Sequence, residues 1–254
     1  AACGIAISRA DRVILAGDHC QLPPTIKCIE AARGGLGRTL LEKVVLHKPE
    51  TVSLLKIQYR MHEDIMRFPS RWFYHDELEA APEVKYRGIL DFDTPVSWID
   101  TSELDLQEKA VAEGTGRLNT GEAELLVREL KNYMERIGIR RILEEHIDFG
   151  VISPYRAQVH YLRHLLKKEP FFRPCRRLIT VHTVDGFQGQ ERDVIMISLV
   201  RANEKGQIGF LRDLRRMNVA ITRARMKLLI LGEAVTLTRH PFYRELYEYI
   251  GGLR

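Results

Sequence analysis

The chain has 254 residues, 45% hydrophobic and 29% charged, and a net charge of +5 from 39 Lys and Arg against 34 Asp and Glu. This is the composition of a soluble globular chain with one large core or two smaller ones, and its modest positive charge permits a nucleic-acid partner without demanding one. No apolar run is long enough to cross a bilayer, and no secretory signal is present.

The four cysteines, Cys3, Cys20, Cys28 and Cys175, form no CxxC pair and no metal-ligand spacing, so a reducing, intracellular setting is expected, cytoplasmic with the nucleus also open. His160 and His164 stand at i and i+4 without a third ligand and are expected on an exposed helix face. The chain opens on Ala1 and heads almost at once into a strand-like segment, as a piece of a longer protein would.

In chain order, residues 12–17 (RVILAG) form an apolar run ending at Gly17-Asp18, the pattern of a buried parallel strand. HCQLPPT follows as a loop, with Pro23-Pro24 holding the backbone extended. Residues 38–46 predict a short helix with Leu40, Leu41, Val44 and Val45 inward. GGLGRT is no phosphate loop, because it lacks a GK[ST] ending and follows no strand. Residues 52–57 predict the next strand and 63–74 a helix with Ile65, Met66, Phe68, Trp72 and Phe73 as its apolar set. Between 77 and 120 the pattern loosens into a long surface excursion containing short apolar pieces such as 96–99 (VSWI). Residues 121–137 are a clear amphipathic helix, with Leu126, Leu130, Tyr133 or Met134, and Ile137 on one face.

The second half is more regular. Strands are predicted at 149–153, 178–184, 193–200 and 227–231. A helix over 154–167 carries Val159, Leu162 and Leu166 inward, and another covers 215–225. Alternation of this kind predicts an α/β fold, a parallel sheet with helices on both faces, whose ligands sit beyond the carboxyl ends of the strands.

The stretch RRMNVAITRAR (215–225) places Arg215, Arg216, Arg223 and Arg225 on what reads as one helix before a strand. Arginine is permanently charged and presents a planar fork suited to phosphate oxygens. From composition alone, a solvated basic helix face is the commoner reading, and the company of the other motifs overturns it.

Five stretches together resemble superfamily 1 helicases, specifically the 1B branch that includes the nonsense-mediated-decay RNA helicase. They are GDHCQLPPT (17–25), QYRMH (58–62), SPYRAQ (153–158), TVDGFQGQERD (183–193) and RRMNVAITRAR, with RLNTGEA (117–123) as a weaker sixth. They occur in the family's order, and QYRMH separates this branch from the repair helicases. The resemblance implies a RecA-like (P-loop NTPase-type) fold, with residues 1–48 the tail of a first RecA-like domain and 49–254 the second. The phosphate loop and the DExxQ-type Mg²⁺ site are missing from the sequence, so ATP and Mg²⁺ are expected as cofactors with the metal ligands outside this chain.

Roles follow residue by residue as what the resemblance implies. Arg60 and Arg223 are the arginine fingers, and Gln21 senses the γ-phosphate from the first-domain side. Tyr59 lies near adenine or ribose, or is plain packing. Glu191 accepts from the ribose hydroxyls, and Arg225 is a second phosphate contact or an internal salt-bridge partner. Single-stranded DNA or RNA would meet Pro24, Thr25, Ser153, Pro154, Tyr155, Thr183 and Gln188. The basic run Lys167-Lys168, Arg173, Arg176 and Arg177, interleaved with Phe171 and Phe172, either extends that track or is a solubilising loop. The activity implied is that of an ATP-dependent helicase or translocase whose isolated half is inactive. A non-catalytic binding module that kept the fold is the alternative.

Overall fold

The structure, a computed structural model, describes residues 7–23, 30, 34, 37–111 and 116–253. The chain divides into two units, Ala1–Leu54 and Leu55–Arg254. In the first, Thr39 and Glu42 form a reciprocal capping box that starts helix α1 (Leu40–His47), satisfying two of the backbone donors a helix start leaves open. None of the α1 residues is buried, so the expected inward stripe at Leu40, Leu41, Val44 and Val45 forms no core there. The strand expected at 12–17 is also absent. Residues 13–18 carry no regular structure and Ile14 is 90% exposed. A parallel strand exists only through its ladder, and no described residue pairs with this run.

The second unit is built on a five-stranded, wholly parallel sheet. Its strands are β3 (Val96–Asp100), β6 (Phe149–Ser153), β7 (Ile179–Thr183), β8 (Arg192–Ser198) and β9 (Ala224–Gly232), in the order β3-β9-β8-β6-β7. Two small pairs stand apart, β1 (Ile57–Gln58) with β2 (Glu79–Ala80) and β4 (Lys109–Ala110) with β5 (Arg117–Leu118). The helices are α2 (Glu63–Phe73), α3 (Pro82–Lys85), α4 (Thr120–Ile137), α5 (Ile139–Glu144) and α6 (Arg156–Lys168). After them come α7 (Val184–Phe187), α8 (Leu214–Ile221), α9 (Ala234–Leu237) and α10 (Pro241–Gly251).

Central β8 is covered on both sides, and every residue from Val194 to Ile197 is buried, as a parallel sheet clad on two faces requires. On one face Phe149, Val151, Val194 and Met196 pack with Leu126, Leu130 and Met134 of α4 and Leu162 of α6. On the other, Gly150 leaves room for Ile195 and Phe187; a Cβ there would lie 2.5 Å from Ile195 Cδ1 and 2.9 Å from Phe187 Cζ. An aromatic cluster joins α2 to α10, with Phe68 and Trp72 meeting Phe242 at centroid distances of 5.2 and 5.1 Å. The Asn119 side chain accepts from Glu122 N at 3.0 Å to start α4. Gly138, at φ +89°, ends it in a conformation few other residues adopt. The architecture is RecA-like.

Three expectations change. The strand expected at 52–57 shrinks to β1, off the main sheet. The excursion at 77–120 contains β3, an edge strand of the central sheet, with Val96 and Trp98 buried and Leu228 opposite Val96. Five residues of alternating burial are too short to stand out from the turns around them. The arginine helix is really a helix, a turn and a strand: α8 stops at Ile221, Arg223 lies in the turn and Arg225 on β9.

Candidate functional site

The QYRMH turn is pinned by its own glutamine. Gln58 Oε1 accepts from the backbone N–H of Arg60 (2.9 Å) and Met61 (2.7 Å), while Nε2 donates to Met61 O at 2.8 Å. This throws Tyr59 outward, 69% exposed, and turns Arg60 in. Arg60 Nε donates to the Glu191 carboxylate and Nη1 donates to Thr222 O at 3.1 Å. His62 N–H donates to Arg225 O at 2.9 Å, tying the turn to β9.

Arg223 is buried. Its Nε donates to Val219 O (2.9 Å), Nη1 to Gln190 O (3.1 Å) and Nη2 to Thr222 Oγ1 (3.0 Å). Arg225 meets three carboxylates: Asp148 Oδ1 at 2.9 Å, Asp193 Oδ1 at 3.0 Å and Glu191 Oε1 at 3.8 Å. Asp148 and Asp193 also accept from each other's backbone N–H, at 2.7 and 3.1 Å. Burial pushes the Glu191 carboxyl up, but the Arg60 hydrogen bond and the charges of Arg60, Arg225 and Arg223 outweigh it and hold the group below its ordinary range. At Asp193 burial prevails, and with the Asp148 charge it raises the carboxyl despite Arg225.

Arg60, Glu191, Arg223 and Arg225 therefore converge, but at the amino ends of β8 and β9, where Arg192 pairs with Ala224. This corrects the expectation that these motifs lie beyond the carboxyl ends. Ser153 and Thr183 do lie at carboxyl ends, as register partners closing β6 and β7. The seven residues of β8, at about 3.3 Å each, separate the two ends by roughly 20 Å.

Among the strand-contact candidates, Thr183 and Pro154 are half-buried and Gln188 is exposed, whereas Ser153 and Tyr155 are buried. Tyr155 Oη accepts from Arg201 Nη1 at 3.3 Å, and its ring lies 5.5 Å from that of Phe210. Gln21 belongs to the first unit, where Nε2 donates to Asp18 Oδ2 at 2.9 Å. Pro24 and Thr25 lie outside the described residues. Asp18, His19 and Cys20 bring ligand-type atoms within 4.8 Å of one another, yet Asp18 already accepts from Gln21 and from Cys20 N.

Sequence reasoning missed two groups. The first is the Asp148–Asp193 pair, two carboxylates each just before or at the start of a strand. The second is a buried network beneath the carboxyl end of β8. Glu122 accepts from Ser198 Oγ and, at 2.8 Å, from Val200 N; Gln158 joins Ser198 to the backbone of Asn119. The second left a signal: Glu122, Leu126 and Leu130 are spaced i, i+4, i+8, so a carboxylate shares the stripe that faces the core.

No helix among the described residues is long and apolar enough to cross a membrane. A family described as "AAA domain" matches residues 36–235. An uncharacterized ATP-dependent helicase of Methanocaldococcus jannaschii is 37% identical over 97% of this chain and 36% of its own. DNA-binding protein SMUBP-2 of Rattus norvegicus is 36% identical over 98% of this chain and 25% of its own. A regulator of nonsense transcripts 1 homolog of Drosophila melanogaster is 35% identical over 94% and 20%. The chain thus spans about a third or less of the length of these relatives. Together with the motifs and the fold, these matches mean that the chain belongs to the AAA domain family, among the superfamily 1 helicases of the nonsense-mediated-decay helicase-like group.

Proposed function

We propose that this chain is the second motor half of an ATP-driven helicase or translocase acting on single strands of DNA or RNA. Residues 1–48 would be the tail of the first RecA-like domain and 49–254 the second. The observation that carries this reading is the pairing of Arg60 and Arg225 with Glu191, with Arg223 bound to the carbonyl of the preceding Gln190 and its charge felt at Glu191. Permanently charged forks set on separate elements around one carboxylate suit a polyphosphate that takes over their ion pairs.

Arg60 and Arg223 neutralise charge on the transferred phosphoryl group, and Arg225 backs them from β9. Glu191 takes the ribose hydroxyls, and exposed Tyr59 lies against the base or sugar. Gln21, with Pro24 and Thr25, couples the nucleotide to the strand from the first-domain side. The strand itself runs over Pro154, Thr183 and Gln188; Ser153 and Tyr155, both buried, back that surface instead of touching the strand. Mg²⁺ supplies charge neutralisation across the phosphates, and its ligands belong to the companion domain. Asp148 and Asp193 do not fit that role, because Arg225 and each other's backbone N–H already occupy them.

One observation favours the non-catalytic binding module instead: Arg223 is fully engaged by Val219, Gln190 and Thr222, as an arginine kept for structure would be. The two readings separate in the longer protein that carries this chain. With Arg60→Ala and Arg223→Lys, ATP turnover should fall by roughly 10³-fold or more, while nucleotide-free strand affinity stays within a few fold. Normal turnover in both variants, or a parent whose strand affinity ignores an ATP analogue, would move the assignment to the binding module.

A further inference from the structure

We propose that the groove between α6 and the edge strand β7 is a second anchoring site for a single nucleic-acid strand, holding its phosphates beyond Thr183; this rests on the strand-binding reading above. The groove is a cavity of about 420 Å³. Leu166, Phe172 and Val181, all buried, form its floor, and Arg163, Lys167, Arg176 and His182 stand around it. Among the described residues, no acidic side chain lines it.

β7 ends the sheet, so its outer edge has no strand neighbour among the described residues, and an open edge ordinarily invites another chain to add as a strand. Arg163 closes this one: Nε (3.1 Å) and Nη2 (2.6 Å) both donate to Val181 O. A peptide adding to the sheet would have to displace that clasp. The groups that remain are donors. Arg176 Nη2 donates to Lys167 O at 3.2 Å, which ties its guanidinium to the last turn of α6. His182 Nδ1 accepts from Thr183 N–H at 3.0 Å, so the ring hydrogen sits on Nε2. Cationic donors over an apolar floor fit a polyanion with apolar sugars and bases, which is the chemistry of a single strand.

Two further facts fix the kind of contact. Phe172 is floor rather than surface, and Phe171 packs edge-on to it at 5.3 Å with Lys131 over its ring at 5.4 Å. The interleaved aromatics are therefore not free stacking platforms, and the groove contacts phosphate and sugar without reading bases. The groove runs along residues 179–182, about 10 Å of strand at 3.3 Å per step. It ends beside Thr183, the register partner of Ser153, and so continues the proposed track.

The test uses the 254-residue chain, labelled oligo(dT) and oligo(U), and a salt titration. Lys167→Glu combined with Arg176→Glu should weaken both oligonucleotides roughly tenfold or more and flatten the log–log salt slope by about 1.4, two contacts at about 0.7 each. Arg140→Glu, on exposed α5, should change neither, and thermal melts should match the parent in both. Parental affinity and slope in the groove variant, with Thr183→Val still weakening binding, would overturn the groove and leave the strand reading standing. A parent chain without oligonucleotide affinity at low salt would overturn both. Displacement of bound oligonucleotide by polyglutamate at lower concentration than by unlabelled oligo(dT) would overturn the groove in favour of an acidic protein partner.

Discussion

Glu122 offers the clearest test of the energetics. It is fully buried on α4, and burial pushes its carboxyl from an ordinary 4.5 up to about 7, against the opposing hydrogen bonds from Ser198 Oγ and Val200 N; the Glu233 charge adds to the rise. A folded-state value above the unfolded one means that folding favours the protonated acid. The associated stability is fully present below about pH 4.5 and is lost as pH rises through about 7. At about 1.36 kcal/mol per unit, a rise of some 2.5 units amounts to roughly 3 kcal/mol by pH 8. Glu122→Gln keeps the shape and an acceptor oxygen for Ser198 and Val200, and resembles the protonated acid at every pH. Urea unfolding, followed by the fluorescence of Trp72 and Trp98, would be compared between parent and variant from pH 5 to 8.5. The variant should match the parent near pH 5 and exceed it by up to roughly 3 kcal/mol at pH 8. All other titrating groups are common to both proteins and cancel in the difference. Parallel stability curves across that range would refute the argument that burial governs this carboxyl.

Arg223→Ala in the isolated chain should cost roughly 2–4 kcal/mol by urea unfolding, because it strips donors from Val219 O and Gln190 O in a buried site. Arg60→Ala removes a half-exposed pair with Glu191 and should cost under about 1 kcal/mol in the same assay. Gly150→Ala drives a methyl into Ile195 and Phe187 and should lower stability by about 1–3 kcal/mol. The isolated 254-residue chain should release no phosphate from ATP above the buffer blank, with or without a strand. Its arginines have no phosphate loop or metal carboxylates in the sequence to present the nucleotide to them.

The sheet of the second unit was legible where burial is periodic. Residues 149–153 match β6 to the residue, and the apolar faces predicted for α4 and α6 are the buried ones. Legibility failed where the deciding contact is distant in sequence. β3 is a strand because β9 lies beside it, more than a hundred residues later, and nothing local separates VSWI from a turn. The break after Ile221 was hidden for another reason. NVAITRAR has no Gly or Pro to stop a helix, and the stop comes from Thr222 Oγ1 folding back on Asn218 O at 2.7 Å while Arg223 caps Val219 O. At the site, the motifs singled out Arg60, Arg223, Arg225 and Glu191, which the fold brings together at the amino ends of β8 and β9. They did not reach Asp148, and Asp193, although it closes the TVDGFQGQERD stretch, drew no role; the two act by sharing Arg225.

The separation of the two surfaces sets what a motor built on this unit must contain. The arginine cluster and the Thr183 hydroxyl stand at opposite ends of strands, roughly 20 Å apart, so neither ligand can sense the other directly. The chain from Thr183 to Glu191 bridges that gap, and it is stiff. Gly186 lies so close to His182 that a Cβ would overlap Nδ1 at 1.7 Å, and Phe187 is wholly buried. The Gln190 side chain donates back to Gly186 O at 2.9 Å, and its own carbonyl holds Arg223. Packed and hydrogen-bonded groups thus link Thr183 to Glu191 and Arg223 along this segment. Under the proposed function, this segment transmits nucleotide state to strand affinity. Linkage then requires the effect to run both ways: whatever factor the nucleotide applies to the strand, the strand applies to the nucleotide.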